Sequence, residues 1–292
     1  MRVAIFGKSI TKESRPFLEN LHAKLQSLVC EISINRRFNR YIQEHCDLNL
    51  SFDEYASHEE LAAFKPDFLM TLGGDGTILD AVTFVRDSGI PILGVNLGRL
   101  GFLSNVSKEK LHEALDALAA EAYSIDERFL LNMESDALEL DMNFALNEIA
   151  VSRKDTTAMI TVHAYINDEY VNSYWADGLI VATPTGSTGY SLSCGGPIIM
   201  PGSENFVITP IAPHNLNVRP FVIPNKYEIR LRVEGREKQF LVSLDSRIYS
   251  IESGSELRIN LEQFRIKLIK TEVQNFSSTL RNKLLWGLDR RN

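Results

Sequence analysis

The chain has 292 residues, a length that suggests about two domains at roughly 150 residues each. Its 44% hydrophobic and 24% charged residues suit globular domains whose cores need no metal or disulfide staple. A net charge of −7 argues against nucleic-acid binding, no apolar run nears the ~18 residues of a membrane span, and Cys30, Cys46 and Cys194 form no CxxC motif. Residues 1–14 also lack the pattern of a signal peptide, so a cytoplasmic protein with no membrane partner is expected.

Residues 3–6 are an apolar run closed by Gly7 and predict a buried first strand. Residues 16–29 predict a helix with Phe17, Leu21, Leu25 and Leu28 on one face and Ser14 as its cap. Ser57 followed by Glu60 is a capping box for a short helix up to Phe64. Phe68–Leu72 is a second buried strand, ended by Gly73-Gly74-Asp75-Gly76 and followed by a helix over 77–86. Residues 91–95 form a third strand, and Ser107 caps a helix carrying Leu111, Leu115 and Leu118. Strand and helix alternating in this way predict a parallel sheet and an α/β domain over residues 1–127.

Beyond residue 127 strands dominate. Residues 227–234 alternate, with Tyr227, Ile229, Leu231 and Val233 on one side and charged residues on the other, as in a half-buried antiparallel strand. Residues 159–166, 238–244 and 265–269 read as further strands. A second domain over 128–271, an all-β sandwich, is therefore expected. The tail 272–292 returns to helix over 277–288 and is expected to dock on the first domain.

Four stretches carry chemistry. Gly73-Gly74-Asp75-Gly76-Thr77 lies where a parallel strand meets a helix, the edge at which ligands bind. Its glycines let a phosphate approach the backbone, and the helix start supplies free N–H groups. A carboxylate there, Asp75, suits phosphoryl transfer by binding a metal or taking a proton. The alternative is a plain turn in which Asp75 caps the helix. Asp177-Gly178 and the segment 183–197 form a second stretch, whose hydroxyls, glycines and Tyr190 suit a loop around a ribose, a phosphate or a base. Asn147-Glu148, inside an apolar stretch, is a polar pair that needs partners such as sugar hydroxyls; a strand end is the alternative. Residues 96–103 contain Gly98, Gly101 and Phe102, the last either walling a base pocket or packing in the core.

Other motifs fail. Gly7-Lys8-Ser9 ends like a P-loop, but Arg2 stands where the first glycine must be. No GxGxxG or GxSxG is present, and the histidines have no zinc-ligand spacing. His163 reads as structural, whereas His214, in a Pro-rich loop, is the better functional candidate.

Together the motifs resemble the NAD kinase family, in particular its bacterial members. GGDGT is shared with diacylglycerol, sphingoid and 6-phosphofructo-type kinases. More specific are Asn96-Leu97-Gly98-Arg99-Leu100-Gly101-Phe102-Leu103, Asn147-Glu148, the stretch 177–193, the PHxLxxRP-like run 213–220, and the LRxKLxWG-like ending 280–287. The resemblance implies ATP-dependent phosphorylation of the 2′-hydroxyl of NAD's adenosine ribose to give NADP, with a divalent metal ion, magnesium expected, and no protein metal ligand assigned. It makes Asp75 the catalytic residue that activates the hydroxyl. On NAD it implies Asp75, Gly76, Phe102, Asn147, Glu148 and Asp177, then Thr188, Gly189, Tyr190, Ser191, Leu192, Ser193 and Arg247. On ATP and its phosphates it implies Gly73, Gly74, Gly76 and Thr77, joined by His214. A homodimer or homotetramer is implied as well. Trp175, Gly189, Asn217 and Arg247 replace residues common in the family. The alternative function is a GGDGT-type lipid kinase acting on a diacylglycerol-like substrate, for which the stretch 177–193 has no use.

Overall fold

The computed structural model describes residues 1–49, 52–98, 100–154, 158–271 and 276–286. Arg99, and Gly287 and Leu288 of the expected final helix, lie outside them. The chain divides into two compact units, Met1–Glu127 with Ile266–Asn292, and Arg128–Arg265. Among the described residues no helix is long and apolar enough to cross a membrane.

The first unit is the α/β fold expected. Parallel strands lie in the order Ile92–Asn96, Phe68–Leu72, Arg2–Gly7, Glu31–Asn35, Asp53–Tyr55. Every residue of Phe68–Leu72 and Ile92–Asn96 is buried, as strands covered on both faces must be. Helices Arg15–Ser27 and Leu111–Ala119 bury Leu18, Leu21 and Leu25, and Leu111, Ala114, Leu115 and Leu118, in one core with the strands. Ser57 accepts from the Glu60 N–H at 3.3 Å, but the Glu60 carboxylate reaches back one residue further than expected, to the Ala56 N–H at 2.6 Å. Ser14 and Ser107 stand at helix starts without making a side-chain cap, because a 3₁₀ turn runs into or out of each position. The final helix, Phe276–Leu284, belongs to this unit. Its Phe276 ring lies 6.0 Å from that of Phe102, and Lys283 Nζ sits 4.8 Å over the Phe102 ring.

The second unit is a pair of antiparallel sheets. One runs Phe221–Pro224, Asn205–Ile211, Gly178–Ala182, Glu148–Arg153, Gln239–Leu244, Arg247–Glu252. The other joins Glu169–Ala176, Ile160–Ile166, Ile229–Gly235 and the first part of Glu256–Lys270. Side chains from both share one core, among them Val151, Val181, Phe206 and Val242 against Val162, Leu231, Val233 and Leu257, which makes the unit a sandwich. The strand expected from Tyr227 begins instead at Ile229. Tyr227 is held in a turn, its N–H donating to the Pro224 carbonyl at 3.3 Å.

Candidate active site

In the first unit the site grows from the turn after Phe68–Leu72. Gly74 is the N-cap of helix Asp75–Val85, and no side chain caps it. The reading of Asp75 as a helix cap is thereby corrected. Its carboxylate turns instead to residues 102–104. Oδ1 accepts from Leu103 N at 3.0 Å, Ser104 N at 2.9 Å and Ser104 Oγ at 3.0 Å, while Oδ2 accepts from Phe102 N at 2.8 Å. Four donors thus clamp one anion in a backbone nest. Oδ2, with one donor to the three on Oδ1, retains room for another. Gly101 makes this closure possible, since a Cβ there would lie 1.8 Å from Asp75 Oδ1. Behind the carboxylate, Asn96 Nδ2 donates to Ser104 Oγ at 2.9 Å, and Asn96 Oδ1 accepts from Gly98 N at 2.7 Å. Asn96 and Ser104 are buried. Gly74 and Gly76 are exposed, and a Cβ at either would meet nothing within 4 Å. Thr77 is buried under the turn, its hydroxyl filling the space beside Gly73.

In the second unit the site is centred on Asn147-Glu148, at the start of Glu148–Arg153. Register brings the ends of two neighbouring strands to this pair. Thr183 N donates to Asn147 O at 2.9 Å, and Asp245 N donates to Glu148 O at 3.0 Å. Asp245 then accepts the N–H groups of Leu146 and Asn147, each at 2.8 Å, and of Glu148 at 3.1 Å. Asn147 Oδ1 and Glu148 Oε2 are buried with no hydrogen-bond partner. Orphaned buried acceptors are costly unless something supplies donors, as the hydroxyls of a sugar would. Burial first, then the charge of Asp245, push the Glu148 carboxyl up to about 8, against a single opposing N–H from Tyr190. Burial raises Asp245 too, but its three N–H donors and the nearby Arg247 charge favour its ionised form. The Asp245 charge thus opposes ionisation of the neighbouring Glu148.

The stretch 183–193, expected as a loop, contains regular turns. It is a 3₁₀ turn, Gly186–Thr188, followed by the short helix Tyr190–Ser193. Its hydroxyls hold the chain in place. Thr183 Oγ1 donates to Leu146 O at 2.7 Å and accepts from Gly186 N at 3.1 Å. Ser187 Oγ donates to Pro184 O at 2.7 Å and accepts from Ile199 N at 3.0 Å. Thr188 Oγ1 donates to Thr185 O at 3.1 Å, and Ser191 Oγ lies 2.8 Å from Thr209 Oγ1. Gly186 packs on the backbone of Asn147, where a Cβ would fall 2.0 Å from its carbonyl oxygen. Gly189 lies over Glu148, with room for a Cβ only 3.0 Å from Oε2. Tyr190 is exposed at its rim, and partial burial first, then the neighbouring Cys194, Asp177 and Glu148, raise its hydroxyl pKa. Leu192 and Ser193 complete the short helix.

Three further residues have defined settings in this unit. Asp177 is paired with Arg153 at 3.0 Å. His214 is exposed and its ring lies against Trp175, with centroids 4.8 Å apart. Arg247 donates to the Met142 carbonyl at 2.7 Å and to the Phe144 carbonyl, and stacks on the Phe144 ring. Its guanidinium thus braces the 142–144 backbone. Asp245 and Ser104 join the site without being marked by the sequence, and Gly101, marked there only as a glycine in the stretch 96–103, closes the clamp on Asp75. The only local sign of Asp245 is an acid directly after an alternating strand, and the donors it collects are almost a hundred residues away. Among the described residues no three His, Cys, Asp or Glu side chains converge as a metal cage.

Known proteins match the chain along its whole length. The family model for the ATP-NAD kinase N-terminal domain matches residues 3–123, and that for the C-terminal domain residues 146–271. A NAD kinase of Flavobacterium psychrophilum is 49% identical over 295 residues, and one of Bacteroides fragilis 41% over 292, each covering 100% of both chains. The crystal structure of an NAD kinase from Archaeoglobus fulgidus in complex with ATP aligns with a TM-score of 0.76 and 27% identity, over 97% of both chains. Yeast NADH kinase complexed with NADH shares the fold, with a TM-score of 0.87 at 24% identity, over 98% of this chain and 87% of that one. The match to the C-terminal domain model, which contains the stretch 177–193, sets aside the lipid-kinase alternative. The chain belongs to the NAD kinase family.

Proposed function

We propose that this protein is an NAD kinase that transfers the γ-phosphoryl group of ATP to the 2′-hydroxyl of the adenosine ribose of NAD. The observation that carries this reading is the Asp75 carboxylate, clamped by four donors with Oδ2 the less engaged oxygen, in a glycine turn whose Gly74 and Gly76 are open to solvent. The 2′-hydroxyl donates to Oδ2 and is aligned for attack on the γ-phosphorus. The O2′–P bond forms as the bond to the ADP oxygen breaks, and the hydroxyl proton passes to Asp75. Phosphoryl transfer needs mainly positioning and charge stabilisation, and a fixed carboxylate supplies the first. The exposed N–H groups at the helix start and the glycine turn receive phosphate oxygens. Magnesium fits this site as an ion carried by the triphosphate, because it binds through phosphates and water with few protein carboxylates. When bound it neutralises charge on the β- and γ-phosphates.

Asn147 Oδ1 and Glu148 Oε2 are matched to the hydroxyls and amino group of the dinucleotide, with Tyr190 and Phe102 against its rings. Asp177, Thr188, Gly189, Ser191, Leu192 and Ser193 line or support that half of the substrate, and Arg247 and His214 remain candidates for direct contact. A cytoplasmic homodimer or homotetramer is part of the proposal, and light scattering measures its size.

The test offers purified protein ATP and Mg²⁺ with NAD, NADH or diacylglycerol. NADP should form, and Asp75→Asn should lower kcat by about 10²–10⁴-fold while KM for NAD moves little. Phosphorylated lipid in place of NADP, or an equal loss of turnover and NAD affinity in Asp75→Asn, overturns the proposal.

A further inference from the structure

Gly7-Lys8-Ser9 is no P-loop, yet it lies where an α/β sheet gathers phosphates. From the first strand the sheet grows in two directions, with Glu31–Asn35 on one side and Phe68–Leu72 on the other. Outside the carboxyl ends of the two strands flanking such a reversal is the crevice where ligands of open parallel sheets bind. Gly7 is level with Leu72 in the parallel register, so Lys8 leaves the sheet beside Gly73, the start of the glycine turn.

The Lys8 ammonium forms an ion pair with Asp80, on the helix that this turn opens. Asp80 lies five residues beyond Asp75, about 7.5 Å of helix rise. The pair fixes the direction of the ammonium while the Lys8 side chain remains 53% exposed. An ammonium has three donors, and one carboxylate does not exhaust them. Arg37 adds a second cation from the next strand end, in the first turn of the helix Arg36–Cys46. Burial first and the Arg37 charge second lower the pKa of Lys8, so the two cations oppose each other across this edge. A polyanion placed between them relieves that repulsion, and a triphosphate undergoing transfer needs its charge met there.

We propose that Lys8, held by Asp80 and flanked by Arg37, binds the phosphates of the nucleoside triphosphate. The proposal deepens the NAD kinase reading and rests on it. Lys8 acts as a point charge on the phosphate chain, the part a P-loop lysine plays from a different loop.

The test compares wild type with Lys8→Ala and Lys8→Arg. Kinetics are measured with ATP and NAD, and binding of inorganic tripolyphosphate is followed by calorimetry. Lys8→Ala should raise KM for ATP and weaken tripolyphosphate binding by at least about tenfold, and leave KM for NAD within about twofold. Lys8→Arg should restore most of both, and equal melting temperatures establish that all three are folded. Unchanged KM for ATP and unchanged tripolyphosphate affinity in Lys8→Ala refute the proposal. A rise confined to KM for NAD also refutes it, and moves Lys8 to the dinucleotide. A wild-type protein that makes no NADP overturns the kinase reading instead, and the tripolyphosphate affinities still decide whether Lys8 is a phosphate site.

Discussion

Gly101→Ala probes the clamp on Asp75 without touching the carboxylate. The added Cβ would lie 1.8 Å from Asp75 Oδ1 and 2.4 Å from Ser104 Oγ, whereas real Cβ atoms essentially never come within 3.0 Å of another atom. The carboxylate and residue 101 must therefore part by at least 3.0 − 1.8 = 1.2 Å. The bonds from Leu103 N, Ser104 N and Ser104 Oγ measure 2.9–3.0 Å, so that shift takes them to about 4 Å, beyond hydrogen-bonding range. Each bond to a charged acceptor contributes about 1.5–3 kcal/mol. The site is partly exposed and water recovers much of that, leaving an expected loss of about 2 kcal/mol. Catalysis should suffer more, because a misplacement of about 1 Å costs on the order of 10²-fold in rate. An NADP-coupled assay and a thermal melt measure the two effects. Gly74→Ala is the control for the melt, since its Cβ meets nothing within 4 Å and the melting temperature should hold. Wild-type kcat in Gly101→Ala would refute the idea that the clamp positions Asp75 for the reaction.

Glu148 predicts a pH dependence of stability. Its folded pKa, about 8, lies above the ordinary carboxylate value, so its contribution is complete below the unfolded pKa and is lost as pH rises through about 8. The melting temperature should fall between about pH 4.5 and 8 and level off above that, and Glu148→Gln, neutral throughout, should flatten that slope; a wild-type slope retained in Glu148→Gln contradicts the raised Glu148 pKa. Arg247→Ala removes two bonds to backbone carbonyls and a ring contact, and should cost about 2 kcal/mol of stability. A raised KM for NAD at an unchanged melting temperature would make Arg247 a dinucleotide contact instead.

The α/β pattern of the first unit was legible because its signals are local. Phe68–Leu72 is an apolar run closed by glycines, and Ser57 with Glu60 is a cap readable within four residues. The helix Arg36–Cys46 is far less visible. Its buried face is only Phe38, Asn39, Ile42 and Cys46, set among charged and polar residues. The strand Glu256–Lys270 begins well before the expected residue 265, on the alternation of buried Leu257 and Ile259 with exposed Arg258; in its middle Leu261 is exposed and Glu262 and Gln263 interrupt the apolar pattern, so the strand does not read as one run. Asp75 and the Asn147-Glu148 pair stand out as polar groups where apolar or glycine-rich chain surrounds them. Their partners do not. Asp75 meets its donors 27–29 residues on, and Asp245 meets its own 97–99 residues back, distances over which only the folded register decides who faces whom. The orientation of the hydroxyls of 183–191 is hidden for a related reason. Composition marks them as hydrogen-bonding groups, but burial turns Ser187 and Ser191 inward to hold the turn.

These settings bear on what a carboxylate in a GGDG turn is for. A free aspartate on a helix start would sample several rotamers, and each alternative would cost alignment with the phosphorus. Here the residues after Gly101 remove that freedom. Three donors hold Oδ1, one holds Oδ2, and Asn96 supports Ser104 from behind. Because the phosphoryl transition state is loose, the nucleophile needs little activation and much orientation. The same economy holds in the second unit. Asp245 saturates itself on backbone N–H groups and so fixes the peptide planes of 146–148, leaving the Asn147 and Glu148 side chains as the unfilled acceptors. In both units one buried or clamped carboxylate organises backbone, and on the proposed function the acceptors left open, Asp75 Oδ2 in part and Asn147 Oδ1 and Glu148 Oε2 in full, are those that a substrate hydroxyl would complete.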